Sequence, residues 1–297
     1  MSAVEIPAKL VMQLRQISGL PMMKCKEALE ACDSDLQKAI EWCRKKGLDM
    51  AAKKADRAMK EGRVAIRTSP DGTTATMVEV DCETEPVSGG PDFKGLVEGV
   101  LGAVAAKGRP SGEVPLADIL TLRHGADSVD VAVKSLVAKI GENMAVRRAA
   151  TIRTTGRVGT YLHHNAKVGV LNELCGSPAA VASADAGTFL AELGMHVAFA
   201  KPVAVSRTEV TKEVVEKELE IYREQAKNDP KMAGKPAAMV EKILVGKLDK
   251  FYAEKCLLEQ PWVRDDKLSV RQVLESVGKK AGGELTIARS ILFQVGA

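Results

Sequence analysis

The chain has 297 residues, 45% hydrophobic and 28% charged, with a net charge of +4; that is enough apolar material for cores in two or three modules and excludes disorder over most of the length. No run reaches the ~18 apolar residues of a membrane span, and residues 1–9 lack the apolar segment of a secretory signal. With 5 Phe, 3 Tyr and 2 Trp, the chain cannot readily supply the row of rings on which a single-stranded nucleic acid stacks.

Residues 5–56 are predicted to form three short helices. Leu10, Leu14 and Ile17 recur at helical spacing, and Gly19-Leu20-Pro21 ends the first helix. A second, from about Met23, turns Cys25, Ala28, Leu29 and Cys32 inward. Asp33-Ser34-Asp35 caps a third, with Leu36, Ala39, Ile40 and Cys43 on its apolar face and Gly47 at its end. So small a bundle has a thin core and suits recognition of another protein. The excess positive charge sits here, since residues 1–60 hold 12 Lys/Arg against 8 Asp/Glu. That balance could meet an acidic partner or RNA, or be a solvated helix surface.

Residues 51–61, with Lys53, Lys54 and Arg57, read as a basic linker helix. The period then becomes two. Arg63-Val64-Ala65-Ile66-Arg67 and residues 76–82, joined by the turn Pro70-Asp71-Gly72-Thr73, predict a β-hairpin. Thr84-Glu85-Pro86-Val87 follows, then Ser88-Gly89-Gly90-Pro91 as an exposed loop. A helix from about Asp92 buries Phe93, Leu96, Val97, Val100, Leu101 and Val104. Residues 108–115 read as loop, and residues 129–140 as a helix ended by Gly141. A second unit pairs 158–162 with 168–174 and adds a helix over 179–199 carrying Phe189, Leu190, Leu193, Val197 and Phe199. An α/β layer thus recurs at 62–150 and 156–202.

Beyond Pro202, Ser206-x-x-Glu209 reads as a capping box. Val210, Val214, Glu218, Ile221 and Tyr222 form the stripe of one long helix, and Val240, Ile243, Leu244, Leu248 and Phe251 that of a second. Asn228-Asp229-Pro230 and Gly234-Lys235-Pro236 make the tip. Arms of about 20 residues span ~30 Å, as a coiled-coil hairpin projecting from the core. The chain rejoins the core through Gln260-Pro261-Trp262-Val263, a helix at 269–276 and a final strand at 285–295.

The six cysteines, at 25, 32, 43, 82, 175 and 256, form no Cys-x-x-Cys pair and read as small core residues of a reducing compartment. There is no Walker A loop, no glycine-rich dinucleotide loop and no nucleophile elbow, and His124, His163, His164 and His196 lack metal-ligand spacing. These absences favour a binding protein, with no cofactor of its own, over an enzyme.

Several motifs in collinear succession resemble bacterial elongation factor Ts, the guanine-nucleotide exchange factors for elongation factor Tu. They are Leu14-Arg15 through Gly19; Met22-Met23-Lys24-Cys25-Lys26-Glu27-Ala28-Leu29; Val80-Asp81-Cys82-Glu83-Thr84; and Lys139-Ile140-Gly141-Glu142-Asn143-Met144-Ala145-Val146-Arg147-Arg148. Gly159-Thr160-Tyr161-Leu162-His163, Met195-His196-Val197-Ala198, Lys201-Pro202 and Gln260-Pro261-Trp262-Val263 complete the set, which spans nearly the whole chain. The resemblance implies an α+β fold in three parts. A ubiquitin-associated-like three-helix module occupies residues 1–56 and a first α/β subdomain 57–155. A second subdomain occupies 156–297, interrupted at about 206–256 by the helical hairpin. Each subdomain carries a small antiparallel sheet.

It also implies a cytoplasmic factor that binds elongation factor Tu, with no nucleotide site, membrane or nucleic-acid partner of its own. A homodimer or a heterotetramer with the partner is compatible with it. Arg15, Met22, Met23 and Lys26 become contact candidates on the module, although the methionine pair would equally suit core filling. Ile140, Gly141, His163 and Val263 match further contact positions. In the family a Thr-Asp-Phe-Val wedge pushes between two partner helices, disturbs the switch region and dislodges Mg²⁺, so that GDP leaves; GTP rebinding then expels the factor. This chain departs there, with Thr84-Glu85-Pro86-Val87, and lacks the aromatic ring. Phe93, seven residues on, matches a core position of the family. Reduced exchange is one expectation; a non-exchanging scaffold or holdase for elongation factor Tu, and an RNA-binding accessory protein using Lys45-Lys46, Lys53-Lys54 and Arg147-Arg148, are alternatives.

Overall fold

A computed structural model of the protein describes residues 6–228 and 236–296. Three helices open it: α1 (Ala8–Ser18), α2 (Met22–Ala31) and α3 (Leu36–Lys54). Val11 and Leu14 of α1 meet Cys25, Ala28 and Leu29 of α2 and Ala39 and Cys43 of α3 in one small core. Ile17, expected on that face, is 55% exposed and borders a cleft against the first subdomain instead. The Asp35 carboxylate caps α3 by accepting from the backbone N–H groups of Gln37 and Lys38. Gly47 does not end α3. It is buried mid-helix, where an added Cβ would come within 3.2 Å of Ala138, so the glycine marks a close approach between two helices. Residues 51–54 are therefore the last turn of α3, and no separate linker helix forms among the described residues.

Strands β1 (Glu61–Thr68) and β2 (Thr74–Cys82) form the expected hairpin. The supposed loop after it is a short helix, α4 (Glu85–Gly89), which buries Ser88 and lets its hydroxyl donate to the Glu85 carbonyl. Helix α5 (Pro91–Ala106) follows, then β3 (Gly112–Val114), α6 (Leu116–Thr121), the small pair β4 (Arg123–His124) and β5 (Asp127–Ser128), and α7 (Val129–Ile140). Strand β6 (Met144–Arg153) returns through the sheet, whose order is β1-β2-β6-β3, all antiparallel. Residues 112–114, which read as loop, are thus an edge strand.

The second sheet has the order β11-β8-β7, from β7 (Arg157–Leu162), β8 (Val168–Gly176) and the C-terminal β11 (Leu285–Gln294). Its outer face carries α8 (Pro178–Ala182) and α9 (Ala184–Ala200), two helices where one was expected, divided at Ser183, which caps the second. Phe199 is 79% exposed; it lies roughly 200° around the helix from buried Val197 and cannot share its face. The inner face packs on the first sheet. Val64, Ala75, Met77, Ala150 and Ile152 meet Val158, Leu171 and Phe293 in a dry core between the sheets. The architecture is α+β, with helices, sheet, sheet and helices in successive layers.

The capping box read at Ser206 does not form. Residues 207–209 make a 3₁₀ turn, and the Glu209 carboxylate accepts from the Val205 N–H. Helix α10 (Lys212–Asn228) then lies against α11 (Ala237–Lys255). The least exposed positions of α10 are Val215, Glu218, Leu219, Tyr222 and Ala226, so Glu218 and Tyr222 keep their expected face, whereas Val214 and Ile221 are 43% and 40% exposed. The stripe is rotated in part from the expected one, with Val215 and Leu219 taking the places of Val214 and Ile221, and the tip residues 229–235 lie outside the described residues. Arg207 clamps the root: its guanidinium donates to Glu259 at 2.6 and 2.7 Å and to Asp249 at 2.8 Å, and lies 4.5 Å over Tyr252. Strands β9 (Pro261–Trp262) and β10 (Asp265–Ser269), helix α12 (Val270–Lys280) and β11 (Leu285–Gln294) complete the chain. Here a capping box does form, between Ser269 and Gln272. All six cysteines are free.

Charge enters the seam between the sheets at one end. Glu79 is buried and receives the Arg148 Nε at 2.7 Å, while the same guanidinium lies 4.3 Å over Phe293 of the other sheet. Asp81, two residues on, is also buried, and its Oδ1 has no hydrogen-bond partner among the described residues. Burial, reinforced by the Glu79 charge and opposed by Arg147 and Arg148, pushes the Asp81 carboxyl up to about 6 from its ordinary 3.8. A carboxyl raised in this way binds its proton more tightly when folded. It therefore stabilises the fold as pH falls through about 6, and the gain is complete below the unfolded value. Asp81→Asn should raise urea stability at pH 7.5 by about 2 kcal/mol and flatten the gain between pH 6 and pH 4. Equal stability of parent and variant at pH 7.5 would contradict this.

Candidate functional site

Thr84-Glu85-Pro86-Val87, the candidate wedge, stands at the end of the most deeply buried strand. In β2, Val78, Val80 and Cys82 face α5 and α7, and Ala75 and Met77 face the second sheet. Burial pushes the Cys82 thiol up to about 12, which makes it an inert packing group. After Cys82 the chain emerges. Thr84, Glu85 and Pro86 are exposed, and Val87 packs partly against the α5–α7 core. Pro86 occupies the first turn of α4, where its missing N–H would have no helical partner, so proline costs this turn no hydrogen bond.

The base of the 84–87 turn is tied down by two acids. The Asn143 N–H donates to Glu83 Oε1 at 2.6 Å, while the Thr84 hydroxyl donates to Glu142 Oε1 at 2.8 Å and its N–H to Oε2 at 3.2 Å. Asn143 Nδ2 reaches back to the carbonyls of Ala55 and Arg57, just beyond α3. Gly141 caps α7 with φ +88°, a left-handed conformation, and its carbonyl accepts the Lys54 ammonium. Ile140 and Gly141 therefore adjoin the base of the 84–87 turn, and Gly141 is tied to the helical module.

On that module, Gly19 lies against the Lys139 side chain, which pairs with Asp92 at 2.8 Å. Met22 and Met23 are 46% and 75% exposed, so they do not fill the core. Arg15 and Lys26 are exposed, the latter 3.7 Å from Glu30. Phe93 is fully buried and no substitute for the missing wedge ring.

His163 begins the turn between β7 and β8, with its Nδ1 2.7 Å from the Tyr161 hydroxyl. That turn also adjoins the wedge. Lys167 pairs with Glu61, which lies opposite Cys82, and its ammonium is held above the usual lysine range first by Glu61 and further by Glu85. Val263 stands apart on the β9–β10 hairpin. Its neighbour Trp262 stacks on His196 and Phe189 of α9. The structure thus gathers Thr84, Glu85, Pro86, Val87, Ile140, Gly141 and the His163 turn at one end, with the module alongside, and leaves Val263 in another layer. Glu83, Glu142 and Asn143, which hold the site together, were visible in the sequence only as parts of two motifs; their pairing needs the β2–β6 register.

A family model described as Elongation factor TS matches residues 83–297. A protein named Elongation factor Ts from Prosthecochloris aestuarii is 38% identical over 294 residues, covering 99% of both chains. Another so named, from Nitratidesulfovibrio vulgaris, is 39% identical over 296 residues, covering 98% of this chain and 96% of its own.

The chain belongs to the elongation factor Ts family. It is a translation elongation factor. Among the described residues no group of three or more His, Cys, Asp or Glu could hold a metal ion, and no described helix is long and apolar enough to cross a membrane. What the chain offers at the gathered end is a shaped surface. Its geometry depends on the left-handed Gly141, where any Cβ is strained and would sit 3.5 Å from the Lys54 ammonium. Gly141→Ala should cost about 1 kcal/mol in chemical denaturation. A variant as stable as the parent would show that this turn tolerates rearrangement.

Proposed function

We propose that the chain is a guanine-nucleotide exchange factor for elongation factor Tu, acting in the cytoplasm without covalent catalysis. The observation that carries this is the wedge turn. It is exposed at residues 84–86, yet rooted in a strand buried on both faces and tied to its surroundings by Glu83 and Glu142. A projecting element on so firm a base can displace a partner's helices with little deformation of its own.

Exchange then follows from differential binding. The factor binds the vacant GTPase more tightly than the GDP-loaded form, and by linkage it weakens GDP binding by the same factor. The wedge would shift the partner's switch region and dislodge Mg²⁺, which otherwise helps hold the β-phosphate, and GTP would expel the factor on rebinding. We read residues 1–56 as the recognition module, with Arg15, Met22, Met23 and Lys26 at the contact. Residues 57–155 carry the wedge, Ile140 and Gly141. Residues 156–297, with His163 and Val263, form a second docking surface, and the hairpin at 206–256 an appended arm.

Pro86 bears on efficiency. It suits the turn but presents a pyrrolidine where the family carries a phenyl ring, and a buried aromatic anchor can contribute ~2 kcal/mol or more. A scaffold that binds without exchanging is the second reading, favoured by this same residue. Fluorescent-GDP release from elongation factor Tu separates the two: acceleration supports exchange, and tight binding without acceleration supports the scaffold. Glu85→Asp with Pro86→Phe should speed release further, by about tenfold if the ring is fully engaged. No change in rate would show that the wedge side chain does not limit exchange.

A second expectation concerns the methionines. Met22→Ala with Met23→Ala should leave folding stability within about 0.5 kcal/mol, since both are exposed, and weaken partner binding several-fold. Unchanged affinity would remove them from the contact.

A further inference from the structure

The main-chain ladder between β2 and β6 ends at Cys82 opposite Met144. Continued by register, the next opposed pairs are Glu83 with Asn143 and Thr84 with Glu142. Both are joined, but by carboxylates in place of carbonyls. Glu83 takes the Asn143 N–H from one side, and Glu142 takes the Thr84 N–H and hydroxyl from the other. The exchange is reciprocal: each strand sends an acid to the neighbouring backbone. A carboxylate reaches further than a carbonyl, so the strands can separate here while remaining bonded. The wedge turn stands off the sheet without coming loose from it.

Thr84 shows that this arrangement has a local cost. It is the N-cap residue of α4, and a threonine there ordinarily turns its hydroxyl back to the helix N–H groups. In this structure it makes no such cap, and the hydroxyl is directed to Glu142 instead. The helix gives up its cap so that its N-cap residue can be gripped from outside. Bonds to an ionised acceptor are shorter and stronger than neutral ones, which favours this choice.

We propose that Glu142 is a positioning residue for exchange: it sets the direction in which Thr84-Glu85-Pro86-Val87 is presented. The proposal rests on the exchange reading above. Glu142 needs no contact with the partner to act, because its carboxylate works through Thr84. The same loop ties to the helical module, through Asn143 to the carbonyls of Ala55 and Arg57 and through Gly141 to Lys54. Wedge, loop and module are therefore set by one small polar joint, and the wedge keeps its angle when the module engages.

Removing the carboxylate frees the Thr84 hydroxyl to cap α4, so the turn persists with a different orientation. Glu142→Ala should lower the maximal acceleration of GDP release about tenfold, in line with losing bonds to a charged acceptor, and change the half-saturating concentration less than about threefold. Thr84→Val should cause a similar loss, and the double variant no more than either alone, because both remove one interaction. Glu142→Gln, which keeps one acceptor oxygen, should retain part of the rate. In the free chain, the backbone amides of Thr84, Glu85, Val87 and Ser88 should exchange with deuterium faster in Glu142→Ala, while the thermal midpoint stays within about 2 °C.

A Glu142→Ala protein with the parent's maximal rate and unchanged amide protection overturns the proposal. So does a loss confined to the half-saturating concentration, which would mark Glu142 as a simple contact, or strictly additive losses with Thr84→Val. A parent chain that fails to accelerate GDP release overturns the exchange reading and this inference with it. That outcome is distinguishable because it is seen before any substitution is made.

Discussion

Strand β2 is buried on both faces from Ala75 to Cys82, and the rest of the candidate site depends on that burial. One face carries the packing of α5 and α7, and the other the dry contact with the second sheet. A strand so confined cannot slip by one residue without exchanging its two faces. The point where the chain emerges, at residue 83, is fixed accordingly. A projecting turn can move another protein only if its own base yields less than the partner does. The carboxylate joint of Glu83 and Glu142 extends that firmness two residues past the end of the sheet.

The seam between the sheets shows a tension in the same strand. Arg148 serves both layers, as ion-pair partner of Glu79 and as a cation over Phe293. Asp81 has no equivalent partner, and burial holds its carboxyl above the ordinary range. A buried acid without full compensation lowers stability near neutral pH. It lies three residues before Thr84, so the strand that anchors the candidate wedge turn also carries an unrelieved charge. At the far end of the molecule, His196, Gln260 and Trp262 fill the space between α9 and the hairpin root with a stacked and hydrogen-bonded group. This unites two motifs that stand more than 60 residues apart in the sequence.

Much of the architecture was legible because it rests on local periodicity. The β1–β2 hairpin, α5 with its buried Phe93, α7 ended by Gly141 and the hairpin arms all follow from spacing and turn chemistry. The errors share one cause. Gly47 reads as a stop signal, but only the approach of α3 to Ala138 explains it as a packing residue. Strand β3 reads as loop because its three residues have meaning only against β6. Phe199 and Ile17 read as core because apolar character does not tell which way a residue at the margin of a stripe points. For the site, the individual residues could be named from family motifs, but their assembly could not. Thr84 and Glu142 are 58 positions apart, and no local pattern signals that the acid takes the threonine from its own helix cap.

If the chain works as proposed, by preference between two states of its partner, the absence of an aromatic at position 86 need not disable it. Each tenfold difference in affinity corresponds to about 1.4 kcal/mol, an amount several modest contacts can supply together. Titration calorimetry of this chain against nucleotide-free and GDP-bound elongation factor Tu tests that preference most directly. The account predicts markedly tighter binding to the vacant form. Equal affinity for the two would contradict it, because a factor indifferent to the nucleotide cannot displace it.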